Sequence, residues 1–571
     1  MPSPAAIRDF IESLVLILAW TLIVRAFAVE AFVIPTGSMA PTLMGRHKDV
    51  RCPQCGYGFQ VGAGDELDET GRPTGFLVFT GTCPMCRFTM DLSRDNTLDR
   101  RYPSYSGDRI LVNKFIYGLR DPERWDVAVF RYPLRAQTNF IKRIAGLPNE
   151  TVRIQYGDVW IKPEGGGRFE IARKPPAKIL ATMQPVYDND YVLSEQVRKG
   201  WPMRWAPMEP DTAGGWVVAE DLKSFQTKGT ASEEVWLAYR HTVPTYQNWA
   251  YRMGVWAVEP AKPKAQLITD FTAYDTGEGW SAHRFADRRP PEPLPGGFGQ
   301  PPDPSTLGLN WVGDLMVDFE INATGNRGEV VVDLVKGGQH FLCRLDLAQG
   351  TVGLAIRGVD AFRPTSSAGI RGPGTHRVRF ANVDQQLVLW LDGRVVSFDQ
   401  PTTYDASIAD TTVPNRDDLE PVRIGSRDAA VEVRHLKVLR DIYYIAQQVK
   451  GEAVSPGIPT DLDPTRSDYP FQNRSPDRVP EFFSSPSEWN AFRYRRDVEF
   501  QLAADQFFML GDNSPMSKDS RLWDAKEFYV NRDLLMGETV VLYWPHSWHR
   551  IPGTPIPFPF FPNFSRMGLV R

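Results

Sequence analysis

The apolar and polar positions divide this chain into stretches of distinct character. From Phe10 to Ile34 (FIESLVLILAWTLIVRAFAVEAFVI) apolar residues dominate, and the centre from Leu14 to Val24 is uninterrupted. With Arg25 and Glu30 near the water interface, the segment reaches the roughly 20 residues that a membrane-spanning helix requires. A cleaved signal peptide competes with a retained span, because Ala26-Phe27-Ala28 has the small-x-small form of a cleavage site. Against cleavage, Arg8 is offset by Asp9 and Glu12, and Arg25 is a poor neighbour for a cut. The flanking charges, Arg8 and Arg25, leave the orientation open. Farther on, residues 174 to about 301 are rich in Trp and Pro with irregular spacing. From Trp311 onward, period-2 alternation recurs in LMVDFEINA, GEVVVDLV, HFLCRLDL, VGLAIRG and HRVRFANVDQQLVLWLDGRVVSF. With turns such as Asp392-Gly393, that alternation predicts an antiparallel β-sandwich. The Pro-, Ser- and Asp-rich run from Gly451 to Ser487 predicts a linker or extended loop.

Composition changes this picture little. At 571 residues the chain is long enough for three or four units, and abundant Pro, Gly and aromatic residues favour strands and turns. A net charge of −4 gives no sign of nucleic-acid binding.

The cysteines add chemistry. Cys52-Pro-Gln-Cys55 and Cys83-Pro-Met-Cys86 are two C-x-x-C knuckles with 27 residues between them, and Cys343 stands alone. Two such knuckles present four thiolates at the corners of a tetrahedron, as a structural zinc ion needs. The intervening GFLVFTGT reads as a strand into the second knuckle, the layout of a zinc ribbon. A pair of disulfides is the alternative if this region faces an oxidising compartment.

Four further segments carry the candidate active site: PTGSM around Ser38, GDRILVNKFIYG (Gly107–Gly118), NFIKRIAGLPNETV (Asn139–Val152) and FFMLGDNSPMSKDSR (Phe507–Arg521). A serine hydroxyl needs an adjacent base, and none of the eight histidines falls in these segments; His47 is nearest, with His546 and His549 in the tail. A lysine can serve once burial lowers its pKa. Lys142 lies between apolar residues on a predicted strand, whose alternation turns Lys142 and Arg143 to opposite faces. In this order the segments resemble type I signal peptidases, membrane-anchored serine proteases that free exported proteins from their leader peptides. The resemblance covers about 200 residues, in the pieces 1–46, 103–175 and 495–550. A second, coarser resemblance links the HRVRFANVDQQLVLWLDGRVV hairpin to the concanavalin-like jelly rolls of laminin-G and glycan-binding modules.

The peptidase resemblance implies roles by position. Ser38 attacks the scissile carbonyl and Lys142 is its general base. The Thr36 hydroxyl, with the Ser38 backbone N–H, donates to the oxyanion; Ser517 orients the lysine amine. Gly37 allows close substrate approach, and Asp519 with Arg521 forms a charge-assisted scaffold pair. Phe32, Ile34, Pro35 and Met39 match the lining of shallow pockets for small residues, as in A-x-A. Arg143 stands near the site in a structural role. Asp108, Lys114, Gly511, Asp512 and Asn513 read as architectural. Pro148-Asn149-Glu150 departs from the Pro-Gly-Asp of many members.

The resulting expectation is a mainly β chain: an antiparallel signal-peptidase core with one N-terminal transmembrane helix, an inserted β-sandwich and a small zinc-ribbon-like insertion. The expected bounds are a membrane anchor at 1–31, catalytic regions at 32–178 and 495–550, a ribbon at 48–95, a sandwich at 205–445, a linker at 446–494 and a tail at 551–571. Catalysis needs no cofactor, and the expected metal is the structural zinc. Expected partners are preproteins with signal peptides, the lipid bilayer, and cell-envelope glycan at the sandwich. By the resemblance, the enzyme sits in the cell membrane with its catalytic domain on the extracytoplasmic side. Other readings are a LexA-like Ser–Lys autoprotease, a membrane-tethered glycan-binding protein with a vestigial peptidase core, and a peptidase whose sandwich recruits envelope polysaccharide.

Overall fold

The computed structural model describes residues 3–23, 28–68, 71–93, 102–209, 213–281, 294–407, 410–448, 459–472, 477–524, 526–551, 554 and 556–570. The protein is mainly β, as the alternation predicts. One eight-stranded sheet is antiparallel and draws on distant parts of the chain. Its strand order is Val29–Val33, Arg109–Asn113, Leu535–Trp544, Val127–Tyr132, Arg135–Gly146, Gln506–Leu510, Val530–Asn531, with Gly568–Leu569 added beside Leu535–Trp544. A second antiparallel sheet joins Glu170–Ile171, Asp158–Lys162, Thr151–Gln155 and Asp497–Gln501. The turn into it, Leu147-Pro148-Asn149-Glu150, places Asn149 at φ 65°. Asn is the non-glycine residue that best tolerates this left-handed region, so the departure from Pro-Gly-Asp keeps the turn.

The sandwich consists of one sheet of eight strands and one of seven, running from Gln184–Asp188 to Ala430–Arg440. It therefore begins before the expected residue 205. The Trp-rich stretch that lacked visible periodicity supplies the strands Gln184–Asp188, Trp205–Pro207, Val217–Val218, Phe225–Lys228 and Val235–Tyr239. These strands are too short for alternation to register. The ribbon consists of the hairpins His47–Arg51/Gly58–Gly62 and Thr80–Thr82/Thr89–Asp91. It shares one continuous core with the sandwich: Phe88 meets Trp249 edge-on at 5.2 Å, and Trp249 Nε1 donates to the Cys86 carbonyl at 2.9 Å.

Three expectations need correction. Where the linker is expected at 446–494, residues 459–472 and 477–494 are packed: Tyr469, Phe471, Phe482, Phe483, Trp489 and Phe492 close a core with Leu267 and Trp311. Those aromatics supply the apolar burial that a linker lacks. The expected tail at 551–571 contributes strand Gly568–Leu569, and Arg566 pairs with buried Asp108 at 2.8 Å. Among the described residues no helix is long and apolar enough to cross a membrane. Of the expected span, the described helix is Pro4–Ile23, with Arg8, Asp9 and Glu12 in its first half. Residues 24–27 lie outside the described residues, and Val29–Val33 is already an edge strand paired with Arg109–Asn113.

Candidate active site

Strand pairing brings the distant segments together. Arg135–Gly146 is paired on both edges, by Val127–Tyr132 and Gln506–Leu510, and the end of this strand is buried. Lys142 and Arg143 are consequently both buried, 3% and 0% exposed. Of the two states open to the neighbour of a buried Lys142, solvated or ion-paired, Arg143 takes the second. Arg143 is neutralised by a bidentate pair with Asp512, Nε–Oδ1 2.9 Å and Nη2–Oδ2 2.6 Å. Asp512, read from the sequence as a turn residue, is thus the counter-ion on the face away from Lys142.

Lys142 Nζ meets Ser38 Oγ in a direct hydrogen bond. Burial pushes the Lys142 pKa down to about 8, with Asp519 and Asp512 pulling the other way. At pH 7 about a tenth of such an amine is neutral, which a general base requires. Ser38 is half-buried, on the turn that leaves Val29–Val33.

The turn after Gln506–Leu510 clamps that loop. Asn513 N donates to the Ser38 carbonyl at 3.1 Å, and Asn513 Nδ2 to the Gly37 carbonyl at 3.1 Å. The turn is built around the fully buried Asp519–Arg521 pair, with Asp519 also accepting from Gly511 N at 3.0 Å. Gly511 has no substitute: a Cβ there would lie 2.1 Å from Ser517 Oγ and 2.4 Å from the Ser38 carbonyl oxygen. Asn513 also reaches Asp275 Oδ1 at 2.7 Å, and Tyr274 covers Gly37, where a Cβ would come within 2.0 Å of its ring. Sequence reasoning missed both residues. They lie in the irregular stretch before the sandwich, and nothing local marks them.

The remaining expected residues divide. Ser517 is buried beside the loop that carries Ser38, and its Oγ has no hydrogen-bond partner among the described residues. Thr36 and Pro35 are exposed and Phe32 is half-buried on the edge strand. Ile34 and Met39, expected to line substrate pockets, are instead 2% and 0% exposed in the core beneath the loop. Both side chains are long and apolar, and the turn directs them inward.

Cys52, Cys55, Cys83 and Cys86 converge with all four sulfurs within 4.8 Å of one another. None is in a disulfide; Cys52–Cys86 and Cys55–Cys83 sulfurs stand 3.5 and 3.6 Å apart. Tetrahedral zinc with Zn–S near 2.3 Å has S–S edges of ~3.8 Å, so the residues fit the ion.

Comparison with known proteins agrees with this geometry. A family model described as signal peptidase, peptidase S26, matches residues 88–193 and 462–544, which include Lys142 and the 507–521 turn but not Ser38. The signal peptidase I of Pseudomonas aeruginosa is 52% identical over 59 residues, 8% of this chain and 21% of that protein. A probable signal peptidase I-2 of Synechocystis is 44% identical over 91 residues, covering 15% and 41%. The chain thus spans about a fifth to two fifths of the length of these relatives. A carbohydrate-binding module, CBM66 of Bacillus subtilis, aligns over 41% of this chain and 95% of its own at 9% identity and a TM-score of 0.21, too low to carry an argument. In the segments that build the Ser38–Lys142 sheet, this chain is similar to the type I signal peptidases.

Proposed function

We propose that this protein is a membrane-associated serine endopeptidase that removes signal peptides from exported preproteins, cutting after small residues. The observation that carries the reading is the hydrogen bond between Ser38 Oγ and a buried Lys142 amine. Neutral Lys142 takes the Ser38 proton as Oγ bonds to the scissile carbonyl carbon. The resulting oxyanion is held by the Ser38 N–H and the Thr36 hydroxyl, a donor of a kind worth about 3 kcal/mol. The lysine ammonium then returns its proton to the leaving amine, and a water deprotonated by Lys142 hydrolyses the acyl-serine. Asp519–Arg521 and Arg143–Asp512 hold the surrounding backbone.

Val29–Val33 pairs on one side only among the described strands, and it exposes Val29 and Val33. An extended substrate adds there as a new strand, with Phe32 and Pro35 beside it. On Pro4–Ile23, Phe10, Leu14, Leu16, Ile17 and Leu18 are all more than half exposed. That apolar surface supports contact with a bilayer, which brings the leader peptide to Ser38; the extracytoplasmic side follows from the resemblance alone. Zinc held by Cys52, Cys55, Cys83 and Cys86 would cross-link the ribbon and take no part in the reaction. The test is cleavage of an A-x-A preprotein in detergent micelles, with the cut site read by mass spectrometry. Cleavage after the small residue, lost in Ser38→Ala and Lys142→Ala, is the expected result; a folded wild type that does not cut overturns the reading.

A further inference from the structure

A second cluster of ligating side chains lies apart from the four cysteines. His47 and Asp49 point to the same face of strand His47–Arg51, two residues apart, and His546 follows strand Leu535–Trp544. One ligand atom from each lies within 4.8 Å of the others. His47 and His546 are 0% and 4% exposed, whereas the Asp49 side chain is 31% exposed and opens the cluster to water.

One hydrogen bond fixes the tautomer of His47. His47 Nδ1 lies 2.6 Å from the Gly45 carbonyl, which can only accept, so this nitrogen carries the proton and Nε2 keeps its lone pair. That lone pair faces His546 Nδ1 at 3.1 Å. The other ring nitrogen, His546 Nε2, contacts the Asp49 carboxylate. His47, Asp49 and His546 thus each bring a ligand atom within the reach of one ion. A histidine whose far nitrogen donates to a backbone carbonyl is the usual arrangement behind a metal ligand. The 3.1 Å separation is also close to the ~3.3 Å edge of a tetrahedral zinc site with nitrogen ligands.

We propose that His47, Asp49 and His546 form a second metal site for a borderline divalent transition ion such as Zn²⁺, with water in the fourth position. Imidazole and carboxylate ligands suit such an ion better than Mg²⁺ or Ca²⁺, which take oxygen. The site ties the segment following the nucleophile to the C-terminal part of the catalytic sheet. Gly45, whose carbonyl holds His47, packs so closely on the oxyanion loop that a Cβ would lie 2.2 Å from the Thr36 carbonyl carbon. The ion thereby braces Thr36 and Gly37 from behind.

The test is metal titration of the full chain, stripped of metal and reloaded with Co²⁺ as the probe. Wild type is expected to take about two equivalents: one with intense thiolate-to-cobalt charge transfer, one with visible bands only. His546→Gln and Asp49→Asn each lose the second and keep the first; Cys52→Ser does the reverse. A wild type that binds a single, thiolate-type equivalent overturns the site and leaves the trio a hydrogen-bonded relay. Two equivalents retained in both His546→Gln and Asp49→Asn overturn it as well. The wild-type stoichiometry decides the question even where a variant fails to fold.

Discussion

Asn513 and Asp275 are bonded at 2.7 Å, although 238 residues separate them. The same Asn513 amide holds the Gly37 carbonyl, so a segment of the insertion is wired to the residue before the nucleophile. Asp275→Ala is expected to lower kcat about tenfold or more with little change in KM, because the loop loses its support and not its substrate contacts. Asp275→Asn keeps an acceptor for Asn513 and is expected to retain most activity. Steady-state kinetics on both variants check this.

Asp275 also gives a pH signature. Burial pushes its carboxyl up to about 7. The folded protein therefore favours the protonated form, and this contribution is complete below the unfolded pKa near 4. It is lost as pH rises through about 7, by an amount on the order of a few kcal/mol. Thermal unfolding of wild type against Asp275→Asn between pH 4 and 8 should show a wild-type decline that the variant lacks.

Gly37 and Tyr274 should be energetically coupled. A methyl at position 37 falls inside the Tyr274 ring, so Gly37→Ala is expected to displace Ser38 and cost at least a hundredfold in kcat. Adding Tyr274→Ala removes the clash and should recover part of that loss. A double-mutant cycle that comes out additive contradicts the contact.

The catalytic pieces are legible in the sequence because each is a short local signal: the turn residues around Ser38, an apolar strand with one lysine, and a Gly-Asp-Asn turn. The sandwich from Trp311 onward is legible because its strands are long enough for alternation to repeat. Other features depend on long-range packing. Ser517 matches by position, but its hydroxyl orientation follows from surroundings that no motif encodes. Ile34 and Met39 look like pocket residues in a string, whereas the turn that exposes Ser38 drives them into the core. His47 and His546 were set aside as candidate bases for lying outside the motifs, and their meeting across 499 positions is visible only in the fold.

Arg143 and Asp512 form a fully buried ion pair at 2.6 Å. Arg143→Met leaves an uncompensated carboxylate in the interior and is expected to cost about 3–5 kcal/mol of stability. Arg143→Lys should recover only part, since one ammonium cannot reproduce the two parallel bonds of the guanidinium. Denaturant unfolding of the two variants checks the order.

Stripping metal from the four-cysteine site should loosen the ribbon from the sandwich, because Trp249 bonds to the Cys86 carbonyl in their shared core. The expected signs are a red shift of tryptophan emission, a lower Tm, and four newly titratable thiols. Unchanged emission after complete removal contradicts a structural ion.

The central claim is that a buried, neutral lysine activates Ser38, and the pH dependence of kcat/KM tests it most directly. The Lys142 pKa of about 8 predicts cleavage that rises with pH to a midpoint near 8, as the amine loses its proton. A midpoint near 6.5, where an unperturbed histidine titrates, or a profile that Lys142→Ala leaves unchanged, would contradict it.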